Sequence, residues 1–242
     1  MRASSDKARA RSGAAIGTRA VRTGRGAGLG PLLEFAAAMA TGDAAGAARA
    51  LRRARAAGAS RVAAEETALM LMLYAGYPAA LEGLRVAHAE WPGRSRASDA
   101  GAPRRWRASG ERLCRRVYGP NTRRLIENVR ALHPDLATWM IEHGYGRVLS
   151  RAGMQARDRE LCSVTVLAAL GWERQLHSHL LGARRLGAPL AEVRRACDLG
   201  RRRAPAGRRA SVRRAWHAAF ATPPRGGMAA PRRRLTTPRR GT

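Results

Sequence analysis

The sequence predicts an all-α protein. Alanine, arginine and glycine dominate the 242 residues and aromatic residues make up only 5%, so the core must be mostly alanine, leucine and valine, a mixture that favours helices. No stretch alternates apolar and polar residues with a period of two, as half-buried strands do. Capping residues and glycines instead divide the chain into pieces of helical length.

The N-terminal part of the chain divides into a tail and a first helical unit. Residues 1–30 are rich in Arg, Ala, Gly and Ser without apolar periodicity, which predicts a disordered basic tail. Residues 31–93 form the first helical unit, which begins with two helices separated near Gly42. Asp43 is placed to cap the second of them.

The same unit continues with a buried helix. Gly58 ends the preceding helix, and Ser60 opens a segment with acids in its first turn and apolar residues after it. Gly76 and Pro78 interrupt this segment, so its second half is a separate or kinked helix.

A linker, a second helical unit and a second basic tail follow. Residues 94–109 contain Pro, Gly and Ser with little that is apolar, which predicts the linker. Residues 110–200 form the second helical unit, with helices around Glu111–Tyr118, before and after Pro134, and on both sides of Gly171 and Gly187; a loop is expected after Gly144. Residues 201–242 are basic and mostly disordered, apart from one short helix through Trp216 and Phe220.

The net charge of +29 comes almost entirely from arginine, since Lys7 is the only lysine. This pattern is typical of GC-rich coding, and we expect only non-specific binding to nucleic acid. No apolar run reaches the ~18 residues that a membrane-spanning helix needs. Cys114, Cys162 and Cys197 form no CxxC, and an odd number of cysteines suits a reducing compartment, so the expected location is the cytoplasm.

Two short segments resemble each other. "ARAAGAS", from Ala54, and "ARRLGAP", from Ala183, each follow a helix and precede another helix with an early glutamate. The offset of 129 residues places Pro31 opposite Glu160 and Ala50 opposite His179. The chain therefore repeats a helix–Gly–helix frame without repeating that polar pair.

Two longer segments resemble a known family. "RDRELCSVTVLAALGWERQLHSHLLGARRLGAPLAEV" and "EETALMLMLYAGYPAALEGL" are similar to the carboxymuconolactone decarboxylase-like family, which includes the alkylhydroperoxidase D proteins. The resemblance implies an alkylhydroperoxidase D-like helical bundle, here built from two helix–Gly–helix units with a degenerate first unit, and assembly as a homo-oligomer. No cofactor is expected. A metal site from Glu160, His177 and His179 is not expected either, because it lacks the ligand spacing and a fourth ligand.

The resemblance also implies site residues. In the peroxidase branch a glutamate precedes a histidine by nineteen positions, as Glu160 precedes His179, and a CxxC pair lies seven and four positions before the histidine. Trp172 and Gln175 occupy those two positions here. Neither can act as a thiolate, so we do not expect dithiol peroxidase chemistry. The decarboxylase branch needs no cysteine, and it leaves Glu160 and His179 as the catalytic candidates.

The chemistry of decarboxylation suggests further roles. His179 is the candidate proton donor or base, and Glu160 would orient it. Arg157, Arg159 or Arg174 could grip a substrate carboxylate, and Trp172 and Gln175 complete the candidate substrate-binding residues. In a plain antiparallel hairpin, Glu160 and His179 would differ by about 5 Å in height along their helices, so contact is possible.

Two neighbouring residues have plainer interpretations. Cys162 lies about 200° round the helix from Glu160 and is interpreted as a buried core residue rather than a lone peroxidatic thiol. His177 points away from His179 and is interpreted as a surface or subunit-contact residue. Tyr74 and Tyr77 are interpreted as architecture.

The predicted function is cofactor-free acid–base chemistry on a small carboxylate or lactone. A non-catalytic oligomeric scaffold or ligand binder of the same fold is the alternative from another class. A peroxiredoxin-like reductase is disfavoured because the CxxC pair is missing.

Overall fold

The computed structural model describes residues 28–95, 97 and 103–221, and within these ranges the chain is helical without strands. The all-α prediction is confirmed. Of the tails predicted at 1–30 and 201–242, residues 1–27 and 222–242 lie outside the described residues. Residues 201–221 are described, and most of them are helical. No helix in the described part of the chain is both long enough and apolar enough to cross a membrane.

The first helices end where local signals predict. The elements are α1 (Leu29–Ala40), α2 (Ala44–Ala56), α3 (Arg61–Tyr74) and α4 (Gly76–Glu90). The side chain of Asp43 caps α2 by accepting the backbone N–H of Gly46 at 2.7 Å, and Ser60 caps α3 by accepting the N–H of Ala63 at 3.1 Å. Gly76 separates α3 from α4 with a φ of +85°, a conformation that side chains with a Cβ seldom adopt.

The middle of the chain is more helical than the sequence predicts. It contains α5 (Pro103–Tyr118), α6 (Thr122–Leu132), α7 (Pro134–Trp139) and a π-helical segment (Met140–Leu149). Helix α5 begins inside the predicted linker 94–109, and the π-helical segment continues through the loop predicted after Gly144.

Two glycines explain this difference. A Cβ on Gly110 would lie 2.0 Å from the backbone oxygen of Ile141, and one on Gly146 would lie 2.0 Å from that of Trp106. The glycines therefore let α5 and the π-helical segment pack backbone to backbone. Sequence alone does not distinguish the two roles of glycine, because glycine is favoured both where two backbones pack closely and where the chain turns.

The last helices are α8 (Ala156–Leu170), α9 (Glu173–Arg185), α10 (Leu190–Arg203) and α11 (Arg209–Phe220). Gly171 ends α8 in the left-handed conformation, with φ +71°, and turns the chain into α9. Every residue of α8 from 158 to 169 is buried, so this helix lies at the centre of the bundle.

The helical frame recurs along the chain. Helices α2 and α9 have the same length, and their first residues, Ala44 and Glu173, are 129 residues apart; the same holds for α3 and α10, which begin at Arg61 and Leu190. Helix α1 packs against α8 and α10, and α8 packs in turn against α3. The two hydrophobic cores also interlock, since Met70 of α3 belongs to the core built mainly by α5 and α8–α11, and Val166 of α8 to the core built by α1–α4.

Candidate functional site

The candidate site lies between the central helix and its successor. Glu160 is on the second turn of α8 and is 2% exposed, while His179 is midway along α9 and is 6% exposed. The turn at Gly171 folds α9 back along α8, which brings these two residues, 19 apart in sequence, to the same level.

Glu160 and His179 are in direct contact. Oε2 of Glu160 lies 2.8 Å from Nδ1 of His179. Since a carboxylate can only accept a hydrogen bond, we assign the proton to Nδ1. Among the described residues no hydrogen bond engages Nε2, which leaves that nitrogen for another partner. The two side chains thus make the contact that the 5 Å offset allowed.

A glycine makes room for the carboxylate. A Cβ on Gly182 would lie 2.8 Å from Oε2 of Glu160 and 2.6 Å from Cγ1 of Val117. Any larger residue on this turn of α9 would push against the acid or against α5. The close approach of α9 to Glu160 therefore depends on this glycine.

A tyrosine from the first unit contacts the histidine. The ring of Tyr74, the last residue of α3, packs perpendicular to the ring of His179 with a centroid separation of 5.8 Å. Its hydroxyl lies 2.7 Å from Oγ of Ser163, which is fully buried on α8. The sequence interpretation of Tyr74 as architecture missed this contact.

Two more tyrosines lie near the pair. The hydroxyl of Tyr145, in the π-helical segment, donates to that of Tyr118 at the end of α5, at 3.0 Å. Burial raises the pKa of Tyr74, Tyr118 and Tyr145, and the negative charge of Glu160 raises each of them further. All three phenols therefore stay protonated at neutral pH.

The predicted substrate-binding residues lie on the outer surface around this site. Trp172 is half exposed and stacks against the guanidinium of Arg208, 5.3 Å from the ring centroid, while Arg174 and Gln175 are exposed on α9. Arg157 donates to the carboxylate of its neighbour Asp158 at 3.1 Å. None of these four residues has a described contact with Glu160 or His179.

Arg159 has a different partner from the one the sequence suggested. This guanidinium is 1% exposed and donates to Glu66 of α3 at 2.9 Å, and Arg151 contacts the same carboxylate at 3.0 Å. Nε and Nη1 of Arg159 lack hydrogen-bond partners within the described ranges, so its charge depends on Glu66. Arg159 joins α8 to α3 and is not placed to grip a substrate.

The cysteines have the environment of core residues. Cys162 is 1% exposed, and burial raises its pKa to about 12, with the charge of Asp158 acting in the same direction. Burial also raises the pKa of Cys114 and of Cys197 to about 12. These thiols lack the thiolate character that peroxide reduction needs. His177 is only partly exposed on α9, and the imidazole that meets Glu160 is that of His179.

Four clefts on the described surface lie elsewhere. One is formed between α5, α6 and the start of the π-helical segment, another lies beside Arg112 and Arg116, a third beside Trp216, and a fourth around Pro120. Glu160 and His179 line none of these four. The pair is enclosed instead by Tyr74, Gly182 and the surrounding helices.

Comparison with known protein families gives a match for the second part of the chain. The model of the carboxymuconolactone decarboxylase family matches residues 134–221, a segment that runs from α7 to α11 and contains both Glu160 and His179. Helices α1–α6, including Tyr74 and Glu66, lie outside the matched segment. No curated protein matches the chain.

Proposed function

We propose that this protein performs cofactor-free acid–base chemistry on a small carboxylate or lactone, because residues 134–221 match the model of the carboxymuconolactone decarboxylase family. The catalytic residues in this proposal are Glu160 and His179. The single observation that supports it best is the buried 2.8 Å contact between them, which leaves Nε2 of the histidine without a described partner.

The pair has the features of a proton donor supported by a carboxylate. Glu160 accepts the Nδ1 proton, which fixes the ring orientation of His179. The acidic or basic group presented to a substrate is then Nε2.

A decarboxylation would use this nitrogen as follows. The bond between the substrate's carboxylate carbon and the adjacent ring carbon breaks, carbon dioxide leaves, and the electron pair remains as an enolate. Nε2 of His179 takes up a proton from solvent before the reaction and donates that proton to the carbon, so the ring returns to the neutral form with its proton on Nδ1.

Substrate recognition in this proposal falls to α9 and the start of α8. Trp172 and Gln175 precede His179 by seven and four positions, so they share its helical face. Arg174 is exposed and available to a carboxylate, while Arg157 would have to exchange its contact with Asp158 for one with the substrate.

The test is turnover of carboxymuconolactone and of a panel of small lactones and carboxylic acids, followed as released carbon dioxide and as deuterium incorporation. We expect His179→Gln to lower kcat by about 100-fold or more, and Glu160→Gln to lower it also, while the circular dichroism spectrum is unchanged. His177→Gln is the matched control, because it alters an imidazole two residues away. Turnover that survives His179→Gln would contradict the proposal.

Two other functions give different results. A non-catalytic oligomeric scaffold or ligand binder would bind small carboxylates without turnover and would tolerate both substitutions; the low exposure of the pair, 2% and 6%, favours this candidate next. A peroxiredoxin-like reductase would consume peroxide with a dithiol donor and lose that activity on Cys162→Ser. The burial and raised pKa of Cys162 argue against it.

A further inference from the structure

The contact between Tyr74 and His179 joins the two halves of the chain at the site. Tyr74 ends α3 in the first unit, whereas His179 and Ser163 belong to the second. The first unit has Pro31 and Ala50 at the positions that correspond to Glu160 and His179, so it has no such pair of its own. It nevertheless supplies the aromatic ring that packs on His179.

The hydrogen bonds fix the direction in which Tyr74 donates. The hydroxyl of Ser163 has one proton, and it donates this proton to the backbone oxygen of Arg159 at 3.0 Å. The 2.7 Å contact between Tyr74 and Ser163 must therefore have Tyr74 as its donor. The tyrosine ring is anchored at its hydroxyl end to α8, the helix that also bears Glu160.

A second contact crosses between the halves at the corresponding place. The residue 129 positions after Tyr74 is Arg203, the last residue of α10. Its Nη1 donates to Oδ2 of Asp43 at 2.8 Å, and Asp43 caps α2 of the first unit. The end of the third helix of each repeat thus reaches into the other repeat. Of these two contacts between the repeats, only that of Tyr74 reaches an imidazole–carboxylate pair.

We propose that Tyr74 is a positioning residue through which the first unit completes the site of the second unit. The catalytic meaning of this role rests on the function proposed above. The hydrogen bond to Ser163 holds the tyrosine ring across the imidazole, and the carboxylate of Glu160 holds Nδ1. Together they fix the ring plane and the direction of Nε2.

The test reads the imidazole directly. Nitrogen-detected NMR of the full-length chain distinguishes a histidine with one fixed tautomer from one that exchanges, and the signal of His179 among six histidines is assigned by its loss in His179→Gln. In the wild type we expect one tautomer with the proton on Nδ1. Tyr74→Leu, which removes the ring and the anchor, should give a mixture of tautomers. Tyr77→Leu is the matched control, because Tyr77 is 65% exposed and lies three residues away, and it should leave the signal unchanged.

Conservative variants keep the proposal testable if Tyr74→Leu fails to fold. Tyr74→Phe and Ser163→Ala each remove the same hydrogen bond, so they should change the His179 signal equally, and the double variant should change it no further. Where a substrate is turned over, Tyr74→Leu should lower kcat about tenfold or more with KM within about twofold. An unchanged His179 signal in the Tyr74 variants overturns the proposal. Since the NMR measurement needs no turnover, an inactive wild-type protein would refute the proposed function and not this one.

Discussion

Nη2 of Arg159 lies 2.9 Å from Oε2 of Glu66, and this buried ion pair joins α8 to α3 across 93 residues of sequence. Burial lowers the pKa of Arg159, and the charge of Glu66 opposes that effect. Arg159 also donates to the backbone oxygens of Arg151 and Ala152, so it ties the loop before α8 to the same point. The residue preceding Glu160 is thus fixed by a carboxylate from the first unit.

Glu66→Ala should destabilise the fold strongly. The substitution leaves the buried guanidinium of Arg159 without its counter-charge, and loss of one partner of a buried ion pair costs about 3–5 kcal/mol. Urea denaturation followed by circular dichroism measures the loss. Glu82→Ala is the control, because Glu82 is exposed on α4 beside the exposed Arg85, and it should change the free energy of unfolding by less than about 1 kcal/mol. If the Glu66→Ala protein were as stable as the Glu82→Ala protein, the prediction that the buried ion pair stabilises the fold would be wrong.

Gly182→Ala should destabilise the protein although alanine is the better helix former. The new methyl group would meet Val117 at 2.6 Å and Oε2 of Glu160 at 2.8 Å, and overpacking of this kind costs about 1–3 kcal/mol, against the gain of about 1 kcal/mol in helix propensity. The control is Gly30→Ala in α1, where no atom lies within 4 Å of the added Cβ. Thermal unfolding should show a lower Tm for Gly182→Ala and an unchanged or higher Tm for Gly30→Ala.

Native thiols should resist labelling. Cys114, Cys162 and Cys197 are buried, and burial raises the pKa of each to about 12, so about one thiol in 10,000 is ionised at pH 8. Ellman's reagent should therefore release almost no colour from the folded chain and three equivalents in 6 M guanidinium chloride. Fast reaction of one thiol that disappears in Cys162→Ser would show an accessible, reactive Cys162 and revive the reductase hypothesis.

The parts of the fold that sequence reasoning predicted correctly depend on local chemistry. Asp43 and Ser60 cap helices because a side-chain oxygen two or three bonds from Cα can reach an N–H three residues on, and this requires no distant partner. Gly171 likewise ends α8 through its own left-handed backbone. The Glu160–His179 contact was suggested by the nineteen-residue spacing found in the family. Two helices joined by a short turn bring residues at that spacing together.

The parts that were missed depend on distant partners. Tyr74 looks like any residue at the end of a helix, and only the packing of α3 on α8 brings it to His179. In the sequence, nothing distinguishes Arg159 from the other arginines. Its role in a buried ion pair depends on Glu66, which lies 93 positions earlier. Gly146 was assigned to a loop because sequence shows the missing side chain and not the backbone of α5 that lies against it.

High pH should unfold the protein cooperatively. Burial raises the pKa of Tyr74, Tyr118 and Tyr145 in the folded state, and it raises the pKa of the three thiols to about 12. Above about pH 9 for the thiols and pH 10 for the phenols, the unfolded chain binds fewer protons than the folded chain. The free energy of unfolding therefore falls as pH rises, by up to about 1.4 kcal/mol per pH unit for each such group.

The predicted fall of stability with rising pH is tested by following tyrosinate absorbance near 295 nm together with the helical circular dichroism signal between pH 8 and pH 12. Most of the absorbance change should coincide with loss of helix, because the phenols around Glu160 ionise only when the chain opens. Tyr145→Phe removes one of these groups while keeping its ring, so the variant should show a shallower fall of stability with pH. Complete ionisation of the tyrosines with the helical signal intact would mean that these phenols are not enclosed around the carboxylate.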